Sequence, residues 1–145
     1  MKTKGEKYGY IEWLSAEEMH EASMQWMSEL KFVRDEQLFL NDLIKLNTLN
    51  LIDDTIFDES KSIIDAISLS EKEVVQLLKK VQSHENLLEI MVNDVDELEM
   101  ESAYLETHWR LVSEIQKYIS DYRKIKTKLF DLISSLLKKN KRLLT

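Results

Sequence analysis

YIEWLSAEEMHEASMQWMSELKFVRDEQLFL, residues 10–40, opens a run that reaches Thr145 without one glycine or proline. Both glycines, Gly5 and Gly9, precede it, and the chain has no proline at all. Tight turns draw on glycine for their left-handed positions and on proline for its fixed φ. A chain that dispenses with both for so long reads as a few long helices joined by short Asn, Asp and Ser connections. The expected fold is all-α: an elongated antiparallel bundle of three long helices in one domain spanning 1–145. Residues 1–12 are expected to form a flexible or loosely packed arm.

Helix signals punctuate the run. Ser15 followed by Glu17 and Glu18 marks a start, with serine as cap and acids in the first turn. Trp26, Leu30, Val33, Leu40, Ile44 and Leu51 then recur by threes and fours. Asn47 to Asp54 reads as the first connection, with Asp53 or Asp54 capping the second helix, expected from Thr55 to about Glu99. Ser70 followed by Glu73 has capping-box spacing, so a fourth helix arises if the second one breaks there. The second connection is placed at Glu97–Ser102, with Asn93–Asp96 as the alternative. The third helix then runs from about Ala103 to Lys141, with Leu111, Ile115, Tyr118, Tyr122, Leu129, Ile133 and Leu136 on one face.

Composition narrows function. There is no cysteine, which removes disulfides, zinc–thiolate sites and thiol nucleophiles. The net charge of −7 argues against nucleic acid as a partner, because that affinity rests on neutralising phosphates. No glycine-rich phosphate loop or nucleophile elbow can be built. The polar N-terminus leads into no apolar segment, and no stretch approaches a membrane span, so a cytoplasmic location is expected. Lys117, Arg123, Lys124, Lys126, Lys128, Lys138, Lys139, Lys141 and Arg142 face only Asp121 and Asp131 in the last segment. An antiparallel bundle sets this basic end beside Asp53, Asp54, Asp58 and Glu59. That arrangement satisfies the charge internally and makes a membrane surface an unneeded partner.

One constellation points to chemistry. On a helical wheel Glu29 and Glu36 fall two turns apart on the face of Phe32, Leu40, Val33 and Trp26. His84 sits among Leu77, Leu88 and Met91, and His108 among Leu105, Val112 and Ile115, with Glu101 two turns before it. Carboxylates and imidazoles projecting inward from several helices are how bundles build di-metal sites. Glu29, Glu36, His84, Glu101 and His108 are therefore the candidate ligands of Fe, Mn or Zn. The paired Glu-x-x-His pattern of such sites is missing, since Val81 and Leu105 precede the histidines by three. A connection near residue 100 would also leave the two histidines at different heights, roughly 12 Å apart, which the Asn93–Asp96 alternative would level. The competing reading makes these residues a buried polar layer that sets register, paired with bases such as Lys31, Arg34 or Arg110.

The stretch WMSELKFVRDEQLFL, residues 26–40, resembles the first helix of short all-helical proteins of flavobacteria and their relatives, a family of unknown function. Those helices carry a Trp, a Glu, an aromatic, a second Glu and another aromatic at this spacing. The resemblance implies three helices and a deliberate placement of Glu29 and Glu36. It implies no chemistry. The expected function is non-enzymatic: a bundle without a cofactor, acting through contacts with a protein partner or with itself. Met27 and Leu38, opposite the Glu29 face, hint at a second exposed apolar stripe. The alternative is the metal-binding bundle.

Overall fold

A computed structural model of the chain describes residues 15–53, 55–93 and 98–144, with the side chains of 91–93, 98–103 and 142–144 left aside. The residues 1–12 therefore lie outside the described part. Four helices follow in order: α1 (Ala16–Leu46), α2 (Thr48–Leu51), α3 (Phe57–Asn93) and α4 (Leu98–Leu144). No strand occurs among the described residues. The fold is an all-α bundle of three long helices, as the glycine- and proline-free run requires. No described helix is long and apolar enough to cross a membrane.

Side chains begin and end these helices where glycine usually would. The Ser15 hydroxyl accepts from the Glu18 amide at 3.2 Å, and the Glu18 carboxylate accepts from the Ser15 amide at 3.1 Å. This reciprocal pair satisfies two otherwise orphaned donors at the start of α1. Ser15→Ala is expected to cost about 1 kcal/mol, or a fall of about 2–4 °C in thermal midpoint, readable by circular dichroism. At the other end Asn47 Nδ2 donates to the Leu43 carbonyl at 2.8 Å. The Thr48 hydroxyl donates toward the carbonyls of Ile44 and Lys45. α2 is a single turn anchored by buried Leu51. Asp53, not a residue deeper in the helix, then turns the chain into α3 by accepting from both the amide and the hydroxyl of Thr55.

Two expectations change. α3 does not break near Ser70, because the Ser70 hydroxyl is buried and bonded across the bundle rather than to its own helix start. The fourth helix is instead the one-turn α2 in the first connection. α3 ends at Asn93 and α4 begins at Leu98, so position 102 lies within α4; the candidate connection residues Asp94–Glu97 lie outside the described residues.

Contacts divide the chain into two compact units, each built from one segment of every long helix. Met1–Lys31 with Gln76–Lys117 form the first, here the histidine unit; Phe32–Val75 with Tyr118–Thr145 form the second, the tyrosine unit. The core of the histidine unit includes Ala16, Met19 and Leu88, with Tyr104 and Leu105 packed on them. Val33, Leu40, Ile67, Val74 and Leu129 are buried in the tyrosine unit.

α3 and α4 run antiparallel in both units. In the histidine unit Lys80 meets Glu114 and His84 meets His108. In the tyrosine unit Ser70 meets Tyr118, while Asp53, Glu59, Lys128, Asp131 and Lys139 line one groove of about 580 Å³. The basic end of α4 thus lies beside the acidic first connection. The Asp53 carboxyl is held below its ordinary range, first by the Thr55 amide and hydroxyl and further by the charge of Lys139.

Candidate functional site

Each unit carries one buried polar cluster. In the histidine unit α3 places His84 on its buried face between Val81 and Leu88, and α4 places His108 beside Leu111. The shared height of the two residues follows from the position of the second connection. His84 Nε2 lies 3.3 Å from His108 Nδ1, a hydrogen bond in which one ring donates to the other. Trp26 stacks on His108, with ring centres 4.6 Å apart, while Trp109 meets it edge-on. Tyr104 meets His84 edge-on. Burial pushes both imidazoles down to about 4 from the ordinary 6.5, and the neighbouring His84 adds to the effect at His108. Both rings are therefore neutral near pH 7. His84 Nδ1 is buried and has no hydrogen-bond partner among the described residues.

In the tyrosine unit Gln37, Ser70 and Tyr118 form a closed network. Gln37 Nε2 donates to the Ser70 hydroxyl at 3.1 Å and to the Tyr118 hydroxyl at 3.0 Å. The Tyr118 hydroxyl donates to the Ser70 carbonyl at 2.9 Å. That commits its only proton, so the 2.9 Å contact between the two hydroxyls has Ser70 as donor. Beside it, Glu36 Oε1 accepts from the Tyr122 hydroxyl at 2.7 Å and from Lys126 Nζ at 2.9 Å. Burial on its own would raise the Glu36 pKa, but the bonds from Lys126 and Tyr122 outweigh it and hold the carboxyl below its usual value. Burial and the adjoining Glu36 carboxylate push the Tyr122 phenol far up.

These clusters decide the fate of the expected ligands. His84 and His108 do come together. Glu29 is a correction: it is exposed rather than on the buried face. The buried residues of α1 are Ala16, Met19, Ser23, Leu30, Val33, Gln37 and Leu40, whose common direction is rotated by roughly 80° from Glu29. Phe32 as a core residue would turn the buried face toward the glutamates, whereas Phe32 is exposed. Glu36 belongs to the tyrosine unit and is engaged by Tyr122 and Lys126 rather than by Lys31, Arg34 or Arg110. Glu101 lies outside the residues whose side chains are described. Among the described residues no group of three or more His, Cys, Asp or Glu is placed to hold a metal ion.

Gln37 is the site residue that pattern reading passes over. It stands four after Val33 and three before Leu40, which is a core position, but an amide there registers as polar surface. No protein-family model matches the chain, and no curated protein and no solved structure matches it.

Proposed function

We propose that the protein is a non-enzymatic helical bundle that acts by self-association through the outward face of α1. The observation that carries this is a line of exposed apolar side chains at seven-residue spacing. Phe32, Phe39 and Leu46 are 65%, 54% and 82% exposed, on the side of α1 away from its buried residues. Leu38 is exposed next to them, while Met27 is only half-exposed, so the stripe runs through the phenylalanines rather than through Met27. Scattered surface leucines are ordinary, but a contiguous row of large apolar groups marks a contact surface.

The occupant that fits is a second copy of the chain. Lys31, Asp35, Asp42 and Lys45 all flank the same side of the stripe, and none makes an ion pair among the described residues. A copy laid antiparallel with the height of residue 40 on the two-fold axis sets Lys45 of each against Asp35 of the other, and Lys31 and Asp42 lie outside that pairing.

Sedimentation velocity over a concentration series tests the reading. The expected result is a reversible dimer. The double substitution Phe32→Ser, Phe39→Ser is expected to weaken it by at least about 100-fold, given about 1.5–3 kcal/mol for each large side chain returned to water. Because both positions are exposed, the thermal midpoint of the variant stays close to that of the parent at concentrations where the parent is monomeric. A parent chain that remains monomeric at every concentration overturns the proposal.

A further inference from the structure

Within the histidine unit, α3 and α4 leave an open groove of about 420 Å³. Its lining combines cations with apolar side chains. Lys79, Lys80 and Arg110 bring three cations, against Glu114 as the single carboxylate in the lining. Glu114 is already engaged by Lys80 at 3.0 Å. Lys79 and Arg110 make no ion pair among the described residues, so the groove keeps a net positive field. The lining also holds the apolar side chains of Leu87, Tyr104 and Leu111, from the same two helices as the cations.

His84 also lines this groove, although the residue is only 3% exposed. Its Nε2 is taken by His108, and its Nδ1 is the nitrogen left without a partner. A buried polar atom without a bond is costly, and a ligand that supplies one removes the cost. The ring pair can serve either polarity. When His108 Nδ1–H donates to His84 Nε2, the remaining proton of His84 sits on Nδ1, which then needs an acceptor.

We infer that this groove binds a small organic anion, a molecule with a phosphate or carboxylate group and an apolar, preferably aromatic, body. The anionic group lies between Lys79 and Arg110 and accepts from His84 Nδ1–H, while the body covers Leu87, Tyr104 and Leu111. Binding selects one tautomer of the histidine pair and so registers at a buried ring. The volume is in the range of small-molecule sites.

The test is titration of the full chain with phenyl phosphate, phenylacetate and inorganic phosphate, followed by calorimetry and by ¹⁵N NMR of the histidine rings. The expected result is saturable binding of an aromatic anion, tighter than inorganic phosphate, with a shift of the His84 Nδ1 resonance. Whichever of phenyl phosphate and phenylacetate binds more tightly identifies the anionic group. Arg110→Gln, at an exposed position that leaves the fold intact, is expected to weaken binding by roughly tenfold or more. His84→Asn is expected to abolish the preference for the aromatic ligands. Should that variant fail to fold, the Arg110→Gln titration and the ring shifts of the parent decide alone. Absence of binding, equal affinity for inorganic phosphate, or binding that leaves the His84 resonances in place each overturns the inference.

Discussion

Between pH 6.5 and pH 4 the fold is expected to lose on the order of 3 kcal/mol through the coupled pair His84 and His108, the window set by their ordinary and folded pKa values. Both folded values lie below the unfolded one. The unfolded chain therefore binds more protons throughout this window, and stability falls as the pH falls. The contribution is fully present above pH 6.5 and is exhausted below about 4. The cause is burial, reinforced at His108 by the second ring, and no carboxylate offsets it. A domain of this kind holds only about 5–15 kcal/mol in total, so the loss is a large share of it. Glu36, whose carboxyl is held low, adds to acid sensitivity only at the lower end, as the pH falls through its folded value. Urea unfolding above pH 6.5 and near pH 4 measures the effect. His108→Leu should flatten the upper part of the curve. A parent chain with equal midpoints at both ends of the window contradicts the burial of the pair.

Tyr118→Phe is expected to destabilise the chain by about 1–3 kcal/mol, although it removes a single oxygen. That oxygen accepts from Gln37 and Ser70 and donates to the Ser70 carbonyl, all in a buried setting. Its loss leaves the Ser70 hydroxyl proton and one proton of Gln37 without an acceptor. Removing the whole network should cost less. The triple change Gln37→Leu, Ser70→Ala, Tyr118→Phe leaves no polar side chain of the set behind, and apolar replacement of a complete buried network is often near neutral. Thermal unfolding of the two variants separates the cases: the triple variant melts above the single one. The reverse order would show that the network contributes net stability rather than alignment.

The acid effect and the tyrosine effect were legible in the sequence to different degrees. His84 and His108 each stand in an apolar periodic setting, so their burial follows from spacing. Their meeting depends on where α3 ends, and the two candidate connections give different heights. Gln37 and Ser70 are buried polar residues, and polarity on its own reads as surface or as a helix cap. Glu36 was recognised as special, yet its partners Tyr122 and Lys126 come from a helix far along the chain, and no local pattern links them. Phe32 departs in the opposite direction: its apolar character and spacing point inward, and it stands exposed.

The sequence by itself determined the class of the fold, the three long helices and the start of α1. Glycine and proline act on the backbone where they stand, and a capping serine acts three residues away. It also determined the antiparallel order of α3 and α4, because a short connection leaves no other path. Only the tertiary structure decided which face of α1 is buried, since Phe32 and Glu29 on one side and Gln37 on the other give two defensible apolar arcs. It alone decided that the carboxylate and the imidazoles belong to different compact units. Those outcomes depend on the depth and rotation at which helices distant in sequence pack, where one turn of register exchanges one set of neighbours for another.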